Sequence, residues 1–350
     1  MLNDLNIVIV GATGKVGLTA LRLLEERGHP AERIVAVASR RSAGRALPYK
    51  GGALTVETMS DAVYERADIA LISATNAISA ALAPEFARRG ALAIDDSSVF
   101  RLDDDTPLIV PEVNGAEVER HSGIIAIPNC SVSPLVMALA PLSKLATPVA
   151  VTMATYQAVS GAGALATREL FDQTRALLAA DGGDLTIEHH PQQIAFNLIP
   201  QIGGFGENGY TSEELKTDRE TRKIMGLPDL RVGATCVRVP VETSHSADVT
   251  IEFDAAIDAD AARAALARFD GVTLLDDLDA PSYPMPINSA GVADVIVGRV
   301  RADIAHKNGL KLWFSCDNLL KGAALNSLQI ADEVVKRRCL PKKNRRGVAP

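Results

Sequence analysis

Cys130 sits in the run IPNCSVSPLVMALAPL, where Asn129, Ser131 and Ser133 offer small polar caps after Pro128, and Pro134 suits the first turn of a helix. A thiol at a helix N-terminus has its thiolate favoured by the helix dipole, which makes a nucleophile near neutral pH; a buried, inert cysteine is the alternative reading. Cys236 and Cys316 lie inside strand-like runs and Cys339 near the C-terminus, so these three are expected to be ordinary. The four cysteines form no CxxC pair and have no histidine at metal-ligand spacing, so neither a disulfide framework nor a metal site is expected.

Backbone and charge supply the other candidates. Gly11, Gly14 and Gly17 in GATGKVG follow an apolar run and open a helical stripe. Glycines in that setting let a pyrophosphate approach N–H groups at a positive helix end, although an ordinary tight strand-to-helix turn has the same pattern. Roughly twenty residues on, where an acid would grip the ribose 2′-hydroxyl of NAD, the chain has Ser39, Arg40, Arg41 and Ser42. Hydroxyls and cations there suit a 2′-phosphate, which favours NADP. Arg238 lies in an apolar alternation, where a guanidinium needs an anionic partner. His245 could carry a proton, but a lone histidine near a strand end is by itself more often a satisfied surface residue. Thr211 and Glu214 have capping-box spacing, which accounts for Glu214 and leaves Glu213 available.

The elements that must hold these residues fall into two series. Asn6 to Val10, Ile34 to Ala38, Ile69 to Ile72 and Leu92 to Asp95 are short apolar runs of the kind buried on both faces of a parallel sheet. A helical stripe ending at Gly28, His29 and Pro30 separates the first two, and a further helix is expected after Pro84. That alternation predicts a doubly wound domain. From about residue 148, Val149 to Ala158, Arg231 to Pro240 and Asp248 to Phe253 alternate apolar and polar residues like strands of a half-exposed, largely antiparallel sheet, with helices near 163–180 and 212–225. The segment after Asn318 predicts a long helix that returns to the first domain.

Length and composition agree with two folded domains, since 350 residues at roughly 150 per domain hold two. Apolar residues make up 47% and charged residues 23% of the chain, which sets aside disorder, collagen and coiled coil. No apolar run approaches a membrane span, and the start passes into a strand instead of a cleavable leader, so a cytoplasmic protein is expected. The net charge of -7 includes a basic tail of Lys336, Arg337, Arg338, Lys342, Lys343, Arg345 and Arg346, expected to be a solvated, frayed terminus. An acidic body argues against nucleic-acid binding.

Several segments in order, GATGKVG, SRRSAGR, SSVFR, PNCSVSP, TYQAVSGAG, GYTSEELK, RVPVETSHS, YPMP, VGRVR and DNLLKGAALNSLQIA, resemble the aspartate-semialdehyde dehydrogenase family from Asn6 to Asp332. The resemblance implies a Rossmann-type NADP-binding domain, residues 1–130 with 319–350, and an α+β catalytic and dimerisation domain with a largely antiparallel sheet, residues 131–318. It implies reversible, NADP-dependent conversion of L-aspartate 4-semialdehyde and phosphate to L-4-aspartyl phosphate, in lysine, threonine and methionine biosynthesis, by a homodimer or homotetramer. The nearest alternative is N-acetyl-glutamyl-phosphate reductase, whose acylated substrate amine would not need Glu213; a catalytically silent binding paralogue is another.

Residue by residue, the resemblance makes Cys130 the nucleophile, which passes through a thiohemiacetal and a thioester, and His245 the acid/base. Gln157 orients the intermediate, Arg238 holds the substrate carboxylate in a bidentate grip, and Glu213 holds the ammonium. Arg101 and Lys216 bind phosphate with Asn129 assisting. Cofactor contacts fall on Gly11, Thr13, Gly14, Lys15, Val16, Ser39, Arg41, Ser42, Ser73, Ser160, Gly161 and Asn318. Thr75 stands where the family usually has glycine. Arg299 and Arg301 are assigned to structure.

Overall fold

Short β-branched runs form the inner strands of a parallel sheet in the computed structural model, which describes residues 1–179, 185–206, 208–277 and 279–342. The chain divides into one unit of Met1–Pro128 with the segment from Ala323 on, and a second unit of Asn129–Gly322.

The first unit contains β1 (Ile7–Val10), α1 (Lys15–Glu26), β2 (Ile34–Val37), a hairpin of β3 (Ala46–Tyr49) and β4 (Gly52–Thr55), α2 (Asp61–Arg66), β5 (Ile69–Ile72), α3 (Asn76–Arg88), β6 (Leu92–Asp95), α4 (Pro111–Asn114) and β7 (Ile124–Ala126). Strands run in the order β2-β1-β5-β6-β7, all parallel, so the order reverses between β1 and β5. In such sheets ligands bind at the carboxyl ends of the strands beside that reversal. Every residue of β1, β2, β5 and β6 is buried, and each fully buried Val, Leu or Ile side chain contributes about 1.5–3 kcal/mol.

The C-terminal helix, Leu325–Arg337, packs against α1, α4 and β6. Asn326 Nδ2 donates to the Ile109 carbonyl at 2.9 Å, and Gln329 Nε2 to Glu112 at 2.9 Å.

Two expectations need correction here. The helix expected after Pro84 begins at Asn76 and contains that proline. Ser79, Ala83 and Phe86 make its buried stripe, and Ala80, whose carbonyl loses a donor to the proline, is exposed. Lys336 and Arg337 are not frayed: Arg337 pairs with Glu119 at 2.8 Å and Glu333 at 3.0 Å, and Lys336 with Glu333 at 2.8 Å. Lys343, Arg345 and Arg346 of the tail lie outside the described residues.

The second unit holds α5 (Val132–Leu142), β8 (Pro148–Gln157), α6 (Ala164–Leu178), α7 (Ser212–Met225), β9 (Arg231–Arg238), β10 (His245–Phe253), α8 (Ala259–Leu266), β11 (Val272–Leu274), α9 (Pro286–Ser289), β12 (Val295–Ala302) and β13 (Gly309–Cys316). Its sheet runs β11-β12-β13-β10-β8-β9, antiparallel at the centre, with parallel outer pairs β8–β9 and β11–β12. Val151, Met153, Thr155 and Gln157 alternate inward along β8. On the other face Tyr156 stacks on Trp313, ring centroids 5.2 Å apart. All eleven residues of α5 are buried, so it serves as the unit's central helix. No helix among the described residues is long and apolar enough to cross a membrane.

Candidate active site

Strand register gathers three of the site's side chains at one sheet edge. Because β8 and β9 run parallel, Gln157 lies beside Arg238 at their carboxyl ends. Because β10 runs antiparallel to β8, its first residue, His245, starts at that same edge. The sequence pattern starts this strand three residues late, at Asp248, because a histidine in an inward position does not register as apolar. In the fold His245, Ala247, Val249 and Ile251 share the buried face.

The Ala158 peptide orients two of these groups at once. Its N–H donates to His245 Nδ1 at 3.0 Å, and its carbonyl accepts from Arg238 Nη1 at 2.7 Å. With Nδ1 acting as an acceptor, the neutral ring carries its proton on Nε2, which has no hydrogen-bond partner among the described residues. Burial, reinforced by the Arg238 charge, pushes the imidazole down to about 3. Burial also lowers Arg238, against the opposing influence of Cys130 and Glu213. A Cβ on Gly161 would stand 3.1 Å from His245 Nε2 and 3.2 Å from Arg238 Nη1, so a side chain there would press on both groups.

Ser244, left-handed at φ 80, delivers His245. Its N–H donates to Asn318 Oδ1 at 3.0 Å, the same oxygen that accepts from Ser160 Oγ at 3.0 Å.

Glu213 is the hub of the second cluster. Its Oε1 accepts from Asn129 Nδ2 at 2.8 Å and Gln157 Nε2 at 3.1 Å, and its Oε2 pairs with Lys216 at 3.2 Å. Burial raises this carboxyl, but the Lys216 charge and those donors outweigh it and hold the pKa below the ordinary value. Thr211 and Glu214 form the capping box that starts α7, with Glu214 Oε2 accepting the Thr211 N–H at 2.7 Å.

Cys130 is half-buried beside the start of α5, and a Cβ on Gly322 would come within 2.8 Å of its Cβ. Cys236 and Cys316 are fully buried, and burial pushes the Cys236 thiol up to about 12 and Cys316 still further. Both are withdrawn from solvent, whereas Cys130 is partly exposed.

In the first unit the three glycines each meet a close approach. A Cβ would lie 2.1 Å from the Ser73 carbonyl oxygen at Gly11, 3.3 Å from the Gly11 oxygen at Gly14, and 2.3 Å from that oxygen at Gly17. Gly14 is the N-cap of α1, so Lys15, Val16 and Gly17 open the helix, where the first N–H groups lack intrahelical acceptors. Thr13 is half-buried in the turn before it, and this cradle fits a pyrophosphate. Ser39, Arg40 and Arg41 are exposed just past β2, and Ser42 is half-buried.

Ser73 Oγ donates to Asp96 at 3.0 Å. Burial raises Asp96 to about 6, against the opposing charge of Arg101. Arg101 belongs to this unit, whereas Lys216 and Asn129 belong to the other. Its guanidinium donates to the Asp96 carbonyl at 2.8 Å. Thr75 is the N-cap of α3 at φ -68, a conformation with no requirement for glycine. Arg299, at a bulge in β12, donates its N–H to Asp276 at 2.7 Å, and Arg301 lies 3.8 Å from Asp248.

Residues 6–121 match a family model described as semialdehyde dehydrogenase, NAD binding domain, and residues 139–321 match semialdehyde dehydrogenase, dimerisation domain. The chain is 48% identical over 342 residues to the aspartate-semialdehyde dehydrogenase of Bacillus subtilis (strain 168), covering 95% of this chain and 98% of that one. It belongs to the aspartate-semialdehyde dehydrogenase family. A crystal structure of aspartate semialdehyde dehydrogenase II complexed with ASA, from Vibrio cholerae, is 41% identical with a TM-score of 0.91, covering 95% of this chain and 98% of that one. A structure of aspartate semialdehyde dehydrogenase with NADP from Candida albicans, 23% identical with a TM-score of 0.73, covers 96% of this chain and 99% of that one and shares the fold. The family is one of oxidoreductases with a nicotinamide-dinucleotide-binding domain of Rossmann type and a second, mixed-sheet domain.

Residue types alone give no sign of the Ala158 peptide, Ser244, Gly322 or the buried Glu220, whose Oε2 accepts the Asn129 N–H at 2.7 Å. The first three act through backbone geometry, for which side-chain chemistry gives no signal. Glu220 lies seven residues after Glu213 on α7, a helical spacing that could have placed it on the same face.

Proposed function

We propose that this chain is an NADP-dependent aspartate-semialdehyde dehydrogenase that converts L-aspartate 4-semialdehyde and phosphate reversibly to L-4-aspartyl phosphate. The observation that carries this reading is the linked arrangement of Gln157, Glu213, Arg238 and His245, with Glu213 bonded to Asn129 next to Cys130 in the chain and Arg238 within electrostatic reach of the half-buried thiol.

The Cys130 thiolate attacks the aldehyde carbon, a carbon–sulfur bond forms, and negative charge moves to the carbonyl oxygen. The His245 Nε2–H meets that oxygen as a fixed donor. Arg238 takes the substrate carboxylate, Glu213 the ammonium, and Gln157 orients the reacting group. When bound, NADP would supply the acceptor for the hydride on that carbon. The resulting thioester is opened by a phosphate oxygen, which forms the acyl phosphate and returns the thiolate to Cys130. The resemblance gives the phosphate to Arg101 and Lys216, with Asn129 assisting. Gly11, Thr13, Gly14, Lys15 and Val16 would hold the pyrophosphate, Ser39, Arg41 and Ser42 the 2′-phosphate, and Ser73, Ser160, Gly161 and Asn318 the nicotinamide half.

A homodimer is supported by the match to a dimerisation domain and by the aromatic sheet face carrying Tyr156 and Trp313. Four thiols with no disulfide suit a reducing cytoplasm. The test is spectrophotometric: NADPH should form from aspartate semialdehyde only when inorganic phosphate is present. Phosphate-independent turnover would overturn the reaction, and equal rates with NAD would overturn the reading of Arg41 and Ser42.

A further inference from the structure

Helix α7 turns Glu213, Thr217 and Glu220 toward the interior, and all three are buried. Both carboxylates close on one residue. Glu213 takes the side-chain amide of Asn129, while Glu220 Oε2 accepts the Asn129 backbone N–H at 2.7 Å. Asn129 in turn accepts the Ser131 N–H on Oδ1 at 2.9 Å, and its carbonyl accepts from Val132 at 2.9 Å and Ser133 at 3.1 Å. The residue immediately before the thiol is therefore fastened to α7 on one side and begins α5 on the other.

The proposed chemistry gives Glu220 no part, and its buried carboxylate is engaged by the Asn129 N–H. Burying a carboxylate is costly unless its hydrogen bonds offset the loss of water. A charge-assisted bond to a backbone N–H is a strong restraint on one peptide. We propose that Glu220 is a positioning residue for the nucleophile, its carboxylate fixing the Pro128–Asn129 peptide and so the backbone that carries Cys130 to the start of α5. The proposal rests on the reading of Cys130 as the attacking group.

The test compares Glu220→Gln with Glu220→Ala in the full chain. Both remove the charge and only the second removes the acceptor, so their ratio isolates the hydrogen bond. Two quantities are read: the rate of Cys130 alkylation by iodoacetamide without substrates, followed by mass spectrometry of its peptide, and kcat with KM for aspartate semialdehyde. The Ala variant is expected to fall about tenfold or more below the Gln variant in alkylation rate and in kcat, with KM nearly unchanged. An Ala variant within about twofold of Gln, or faster, overturns the proposal, since a purely structural carboxylate would lower only the unfolding midpoint. Should the Ala variant fail to fold, Glu220→Asp, which withdraws the acceptor by one methylene, takes its place with the same readings. Alkylation needs no turnover, so a chain inactive toward aspartate semialdehyde would sink the reaction and still decide the role of Glu220.

Discussion

The two units place their functional groups by opposite means. In the first, the nucleotide cradle is main chain: glycines where a Cβ would collide with carbonyl oxygens, and a helix start whose N–H groups face outward from α1. In the second, the candidate site is built from side chains withdrawn from water, with Gln157, Glu213, Arg238 and His245 all buried. A backbone site depends on close approach and little on charge. A buried polar site depends on every partner being present, because one missing partner leaves a desolvated group unpaired. Substitutions should therefore act differently in the two regions.

The largest effect is expected at the sulfur. Cys130→Ser replaces the proposed nucleophile with a hydroxyl, which ionises far less readily than a thiol, and kcat should drop by about 10⁴-fold or more, measured as phosphate-dependent NADPH formation. Near-normal turnover would break the assignment. Next comes Arg238→Lys, which keeps the charge and loses the fork that reaches the Ala158 carbonyl and is proposed to grip the substrate carboxylate. We expect kcat/KM for aspartate semialdehyde to fall roughly 100-fold, divided between a higher KM and a lower kcat.

Gly17→Ala tests the other side of the comparison. Its Cβ would lie 2.3 Å from the Gly11 oxygen and 2.7 Å from the Ala12 Cα, both backbone atoms that yield only if the turn moves. The expected cost is about 1–3 kcal/mol in urea unfolding, with a raised KM for the nicotinamide cofactor and an unaltered rate of Cys130 alkylation. A changed alkylation rate would show that the two regions do not act independently.

The same contrast explains what could be read from the sequence. GATGKVG announces a nucleotide cradle within seven residues because the motif is local, and four of the first sheet's five strands show as apolar runs for the same reason. The second region is spread from Asn129 to Asn318. Apart from the thiol and a guanidinium in an apolar alternation, its members emerged only through resemblance along the whole chain. Register between β8, β9 and β10 brings Gln157, Arg238 and His245 to one edge, and register is set by pairing across long separations. Ala158 was illegible altogether, because what it contributes is a peptide group common to every residue type. Pro84 misled for a related reason: a proline reads as a helix start, while the stripe Ser79, Ala83, Phe86 carries the helix across it.

The smallest effect distinguishes a donor from a proton carrier at His245. With Nδ1 occupied by the Ala158 N–H, and with burial and Arg238 pushing the ring down to about 3, the folded protein takes up a proton there only in strong acid. The unfolded chain takes it up near the ordinary value of 6.5. Above that value neither state holds the proton and the residue leaves stability unchanged. As pH falls from 6.5 toward 3 the unfolded state gains a proton that the folded state refuses, so stability is lost at up to about 1.4 kcal/mol per pH unit. His245→Asn removes this titration and keeps a donor. Urea unfolding from pH 7.5 to 4.5 should therefore show the variant losing less stability than the parent below about pH 6.5, and the same loss above it. Parallel curves across the whole range would mean that the imidazole titrates in the folded protein as it does in water, and the fixed-donor account of the oxygen site would fail with it.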